Sequence, residues 1–153
     1  MTHRSELHGL LGELVQANSR LVRIAAQTTG ATESSATWRT LRVLERSGPL
    51  RVGELAALSR VAQPTMTKIV AGLAERGWAE RVADPGDGRA SQIGVTAAGV
   101  AAVDAWLDEL ASALHPYFDD LSDDELEALR RTVRLLQERV ELNDPNRPRE
   151  MSH

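Results

Sequence analysis

Apolar residues recur at alternating steps of three and four at both ends of the chain. They are Leu7, Leu10, Leu14, Ala17, Leu21 and Ile24 near the start, then Val100, Val103, Leu107, Leu110, Leu114 and Tyr117. Leu126, Leu129, Val133, Leu136 and Val140 follow near the end. This step keeps a narrow stripe on one side of a helix, the pattern of a helix packed along another helix. It predicts helices over about 5–27 and 97–116 and a last one opening near 122. Thr96 is placed to cap the second, and Ser122-Asp-Asp-Glu125 is a capping box for the third. Such stripes need cover. Pairing of two chains about a two-fold axis would supply it and would explain why the chain ends carry the heptads. An intramolecular three-helix bundle is the alternative.

The middle of the chain has a different rhythm. A helix over about 34–46 carries Trp38, Leu41 and Leu44 on one side and Arg39, Arg42 and Arg46 elsewhere, and Ser47-Gly48-Pro49 stops it. A short helix, Val52 to Leu58, leads through Ser59-Arg60-Val61 into a longer one over about 62–76. Pro64 lies in its first turn, where a missing N–H costs nothing, and Gly77 stands at its C-terminal cap. Met66, Ile69, Val70 and Leu73 are its inward face. Trp78 to Ala83 and Ser91 to Val95 are strand-like, and the turn formers Asp84-Pro-Gly-Asp-Gly-Arg89 between them predict a hairpin with a six-residue tip. Beyond Asn143 the chain is polar and Pro-rich, the composition of a loose tail.

The chain is therefore expected to be mainly α, with a winged helix-turn-helix lobe of three helices plus a β-hairpin wing. An α-helical dimerisation region is built from both termini. The expected divisions are a dimerisation helix at 1–33, the lobe at 34–96, C-terminal dimerisation helices at 97–142 and a flexible tail at 143–153.

Net charge by itself argues against a polyanion partner, because the 153 residues sum to −4. The distribution reverses that inference. Residues 34–99 hold nine basic and six acidic side chains, whereas 100–145 hold four basic and twelve acidic. Local field decides whether a polyanion docks. The absence of Cys removes thiol nucleophiles, disulfides and Cys-based zinc sites. No apolar run approaches the ~20 residues of a membrane span, and the start lacks a signal-peptide core, so a soluble cytoplasmic protein is expected. No nucleophile–base pair, phosphate loop or metal cluster is visible, so neither an enzyme nor a cofactor is expected. His3, His8, His115 and His153 do not group with carboxylates at ligand spacing. The acidic run from Asp119 to Glu125 lacks the ligand alternation and central Gly of a calcium loop. Acids at a helix N-terminus are favoured by its dipole in any case.

A winged helix-turn-helix slides the N-terminal turns of its second helix into the major groove. Here those turns hold Gln63, Pro64, Thr65, Thr67 and Lys68, the only lysine in the chain. Gln reads adenine edges bidentately, and Thr offers a hydroxyl and a methyl for thymine. A solvated polar face would use the same residue types. The wing tip adds Arg89, of the kind that enters a narrow minor groove, with Asp84 or Asp87 free to pair with Arg89 or Arg81. Arg60, Lys68 and Arg81 are expected on phosphates, and Gln63, Thr65 and Thr67 on bases.

The segments Val52-Gly-Glu-Leu-Ala56, Gln63 to Arg81, Asp84-Pro-Gly-Asp-Gly-Arg89 and Val95-Thr-Ala-Ala-Gly99 together resemble the MarR family of bacterial transcriptional regulators. The resemblance covers about residues 5–142. It implies an obligate homodimer with interlocked terminal helices, two recognition helices in successive major grooves of double-stranded DNA and two wings in the flanking minor grooves. It also implies a repressor released by a small phenolic or lipophilic effector. Lys68 matches the family's basic residue on the recognition helix, Arg89 its wing arginine and Asp87 its wing aspartate. The missing Cys excludes the peroxide-sensing branch. In the family the second helix faces a cleft, so Trp38 with Arg20 is expected to line an effector pocket, while a packed core Trp beside a surface Arg is the alternative. A winged-helix module that binds protein rather than DNA is the competing function.

Overall fold

The computed structural model describes residues 2–30 and 32–142, with side chains as far as 140. The helices are α1 (His3–Thr29), α2 (Ser35–Ser47), α3 (Val52–Ser59), α4 (Gln63–Glu75), α5 (Ala97–Leu114) and α6 (Asp123–Leu142). A hairpin of β1 (Ala79–Asp84) and β2 (Asp87–Val95) stands between α4 and α5, and a 3-10 turn, His115–Tyr117, follows α5. The mainly α architecture with a two-stranded wing is as the sequence predicts. The tail at 143–153 lies outside the described residues. Among those described, no helix is long and apolar enough to cross a membrane.

The chain divides into two compact units. One comprises Met1–Thr32 with Trp106–Asp120, the other Glu33–Ala105 with Leu121–His153. In the first, the α1 stripe is only partly covered: Leu7 and Leu10 are 48% and 56% exposed, and Leu14, Leu21 and Ile24 are half-buried. In the second, α6 shows the same condition, with Leu126, Leu129 and Val133 each 44% exposed. Bare stripes of this kind are what a second chain would cover.

Local signals set the helix ends. The Ser34 hydroxyl accepts the Thr37 N–H at 3.2 Å and opens α2. Gly77, at φ +70°, closes α4: its N–H reaches Ala74 O and that of Trp78 reaches Leu73 O, a Schellman pair that turns the chain into the wing. Thr96 caps α5 through Gly99 N–H, at 3.1 Å. The expected box opens α6, with Ser122 N–H and hydroxyl both donating to Glu125 Oε2, which holds that carboxyl below the usual glutamate range.

The core of the second unit is built by one face of each element: Trp38, Leu41 and Leu44 from α2, Leu55 from α3, Met66, Val70 and Leu73 from α4, and Ile93 from β2. Full burial of such a side chain contributes about 1.5–3 kcal/mol. Trp38 and Trp78 stack at 5.6 Å between ring centroids. Leu50 exchanges both backbone hydrogen bonds with Ile93, at 3.0 and 2.7 Å, and so ties the wing base to the segment before α3.

The wing departs from expectation at its tip. The six-residue loop is absent: Asp84 pairs with Asp87 and only Pro85-Gly86 turn the chain. The cause is local, because Asp84 Oδ1 accepts the Gly86 N–H at 2.8 Å and closes an Asx turn. The register then shifts: Ala83 faces Ser91, so Gly88, Arg89 and Ala90 bulge from the ladder.

Candidate nucleic-acid interface

The fourth helix presents two faces of opposite character. Met66, Val70 and Leu73 are buried, whereas Gln63, Pro64, Thr65, Thr67 and Lys68 are exposed. The structure thus brings these five predicted residues together on the first turns of one helix. Pro64 occupies the first turn as expected. Thr67, exposed, donates its hydroxyl hydrogen to Gln63 O at 3.0 Å, which restrains its rotamer.

The turn before this helix is held by a side chain of α2. Arg39, on α2, donates from Nη1 to Ser59 O at 3.0 Å. Arg60 follows at φ +54°, the one non-glycine in the left-handed region among the described residues, with its side chain exposed. That conformation costs about 1 kcal/mol or more for a residue with a Cβ. At the far end, Arg76 pairs with Glu33 and lies 4.9 Å over the Trp78 ring.

In the wing, Arg89 is exposed within the bulge and its N–H donates to Asp87 Oδ1 at 3.0 Å. Arg81 reaches across the hairpin to Ser91 Oγ at 3.1 Å. The expected pairing of Asp84 or Asp87 with Arg89 or Arg81 is corrected. Asp84 instead accepts from Arg51 Nε at 2.6 Å, because the Asx turn swings its carboxylate toward the start of α3. Arg51 went unnoticed in the sequence, although one signal was present: an arginine occupies an N-cap, where Ser, Thr or Asp is favoured.

This geometry is shared with known proteins. A regulator from Thermotoga maritima superposes with a TM-score of 0.71 at 22% identity, covering 89% of this chain and 96% of that one. A probable transcriptional regulator from Pseudomonas aeruginosa is 31% identical, with a TM-score of 0.54 and coverage of 80% and 92%. An HTH-type transcriptional regulator of Mycobacterium leprae is 31% identical over 101 residues, 66% of this chain and 71% of the relative. The family model described as MarR family matches residues 34–90. The chain belongs to the MarR family. The match spans 57% of the length of two other mycobacterial HTH-type regulators, each 34% identical.

For this MarR-family protein the two residues expected at an effector pocket differ in setting. Arg20 is exposed on α1, in the first unit. Trp38 lies in the second, 8% exposed and stacked on Trp78.

The Asp84 carboxyl is held below the ordinary aspartate range, first by the Gly86 N–H and then by Arg51. A depressed folded value stabilises above the unfolded value, near 4, and that contribution disappears as pH falls through the folded value. The stability difference between the wild type and Asp84→Asn should therefore be constant from pH 7 to about 5 and shrink below about 4. Urea midpoints across that range measure it, and a difference that grew on acidification would reverse the assigned sign.

Proposed function

We propose that this chain is a homodimeric, sequence-specific DNA-binding transcriptional regulator, acting as a repressor on a pseudo-palindromic operator. The observation that carries the reading is the exposed face of α4: a helix seated in the core through Met66, Val70 and Leu73 offers Gln63, Thr65, Thr67 and Lys68 outward. Gln63, Thr65 and Thr67 read base edges in the major groove, while Lys68, Arg60 and Arg81 sit on phosphates and Arg89 enters the minor groove. Half-sites stand about 10 bp apart, one turn of B-DNA. The bare apolar stripes of α1 and α6 support the dimer. Release by a small phenolic or lipophilic compound completes the reading.

The deciding experiment titrates purified protein against duplexes from the region of its own gene at two salt concentrations. Specific binding by a dimer, falling steeply with salt, is expected. Weak binding indifferent to sequence there and at distant sites, together with a salt-independent protein partner, would overturn it in favour of a protein-interaction module. Lys68→Ala should weaken binding to all duplexes alike and reduce the salt slope by about one phosphate. A relaxed sequence preference would instead place Lys68 on a base. Addition of a phenolic acid at millimolar concentration tests release on the same duplex, and unchanged binding across a panel of such compounds would remove that part of the reading.

A further inference from the structure

The base and the tip of the wing are attached to the lobe in different ways. At the base, Leu50 and Ile93 share two backbone hydrogen bonds, Ile93 is fully buried, and the Pro49 ring lies against Gly94. Toward the tip the ladder is interrupted, since Gly88, Arg89 and Ala90 have no partners across the hairpin. A two-stranded ribbon alone is marginal in water, and a bulged one is weaker still.

One side chain from outside the wing reaches this region with an ion pair. Arg51 directly follows Leu50, so the backbone that ties the base also delivers the guanidinium to the tip. Its Nε donates to Asp84 Oδ2 at 2.6 Å, while Asp84 Oδ1 takes the Gly86 N–H at 2.8 Å. Both carboxylate oxygens are thereby engaged, one by the helix-turn-helix and one by the wing turn. The Asp84 side chain is only 7% exposed, so the pair is partly shielded from water, although Arg51 itself is 50% exposed. Asp87, whose carboxylate accepts the Arg89 N–H, also lies within the electrostatic reach of Arg51. The contacts form one path from the start of α3, through Arg51 and Asp84, to the turn that leads into the bulge holding Arg89.

We propose that Arg51 is a positioning residue for the wing: through Asp84 it braces the bulged tip against the start of α3, and so sets where Arg89 stands relative to the recognition helix. The proposal rests on the DNA-binding reading. Without the brace, the tip pivots about its Leu50–Ile93 base, and Arg89 loses ordering entropy each time it must find the groove.

Two measurements on the full chain test it. In the free protein, hydrogen exchange at the Gly86 and Arg89 amides should quicken about tenfold in Arg51→Gln and in Asp84→Asn, while α4 amides are unchanged. On the operator duplex, Arg89→Ala should weaken the wild type about tenfold, but either brace variant by less than about twofold. The effect of Lys68→Ala should be the same in every background. Unchanged exchange, or an Arg89→Ala effect equal in all backgrounds, would overturn the brace. So would a salt slope reduced by Arg51→Gln but not by Asp84→Asn, which would make Arg51 a phosphate contact. Asp84→Asn keeps the test decisive if Arg51→Gln folds poorly. If the wild type bound no duplex, the DNA reading would fall and the role in placing Arg89 with it, while the exchange rates would still decide the brace itself.

Discussion

Gly99→Ala is expected to destabilise the protein by about 3 kcal/mol, at the top of the range for forcing extra volume into a packed site. A Cβ at Gly99 would run into the Trp78 carbonyl oxygen and come within 2.9 Å of Val95 Cγ2. The carbonyl cannot retreat. It accepts the Thr96 N–H at 3.0 Å, the Thr96 hydroxyl donates to the neighbouring Gly77 carbonyl, and the Trp78 ring is stacked on Trp38. Helix α5 would have to lift from the backbone that follows α4, breaking the Thr96 cap. Urea unfolding at fixed protein concentration measures the loss, the concentration being held because the stability of the proposed dimer depends on it. A change below about 1 kcal/mol would show that the approach of Gly99 to Trp78 is looser than the geometry implies. The Val-Thr-x-x-Gly segment thus has a physical reason: Thr96 closes the corner and Gly99 lets a helix touch a backbone.

Met66→Ala should cost about 3 kcal/mol as well, within the range for truncating a buried methionine. Met66 has no exposed surface, lies between Thr65 and Thr67, and puts its sulfur 3.9 Å from the Thr40 hydroxyl. It is the side chain that seats the first turns of α4 on α2. The truncation leaves a cavity directly beneath Gln63, Thr65 and Thr67, so DNA affinity should fall even where the variant remains folded. Denaturation and operator titration of the same samples separate the two effects. Weakened stability with wild-type affinity in the folded fraction would mean that α4 keeps its place without this contact.

Much of the candidate interface was legible because it depends on short-range rules. The period of α4 put Met66, Ile69, Val70 and Leu73 inside and Gln63, Thr65, Thr67 and Lys68 outside, and the structure agrees except that Ile69 is half-buried. Thr96, Gly77 and the Ser122–Glu125 box set helix ends within a few residues of themselves. The wing was legible as a hairpin but not in its register. Six turn formers in succession allow several closures, and the Asx bond of Asp84 to Gly86 selects one of them.

What lay beyond the sequence was the choice of partner over long separations. Residues 34–99 hold nine basic side chains, and nothing local says that Arg51 rather than Arg81 or Arg89 takes Asp84, 33 positions away. The same holds for Trp38 on Trp78, Arg39 on Ser59 and Gly99 against Trp78. The sequence by itself determined the helices, their apolar faces, their caps and the exposed polar face of α4. Periodicity and capping act between residues one to four apart, where the backbone fixes who meets whom. Only the tertiary structure decided the brace from the wing to α3 and the stacking of Trp38 on Trp78. Those contacts form only after distant segments have been packed together, and the packed core then leaves each side chain few partners within reach.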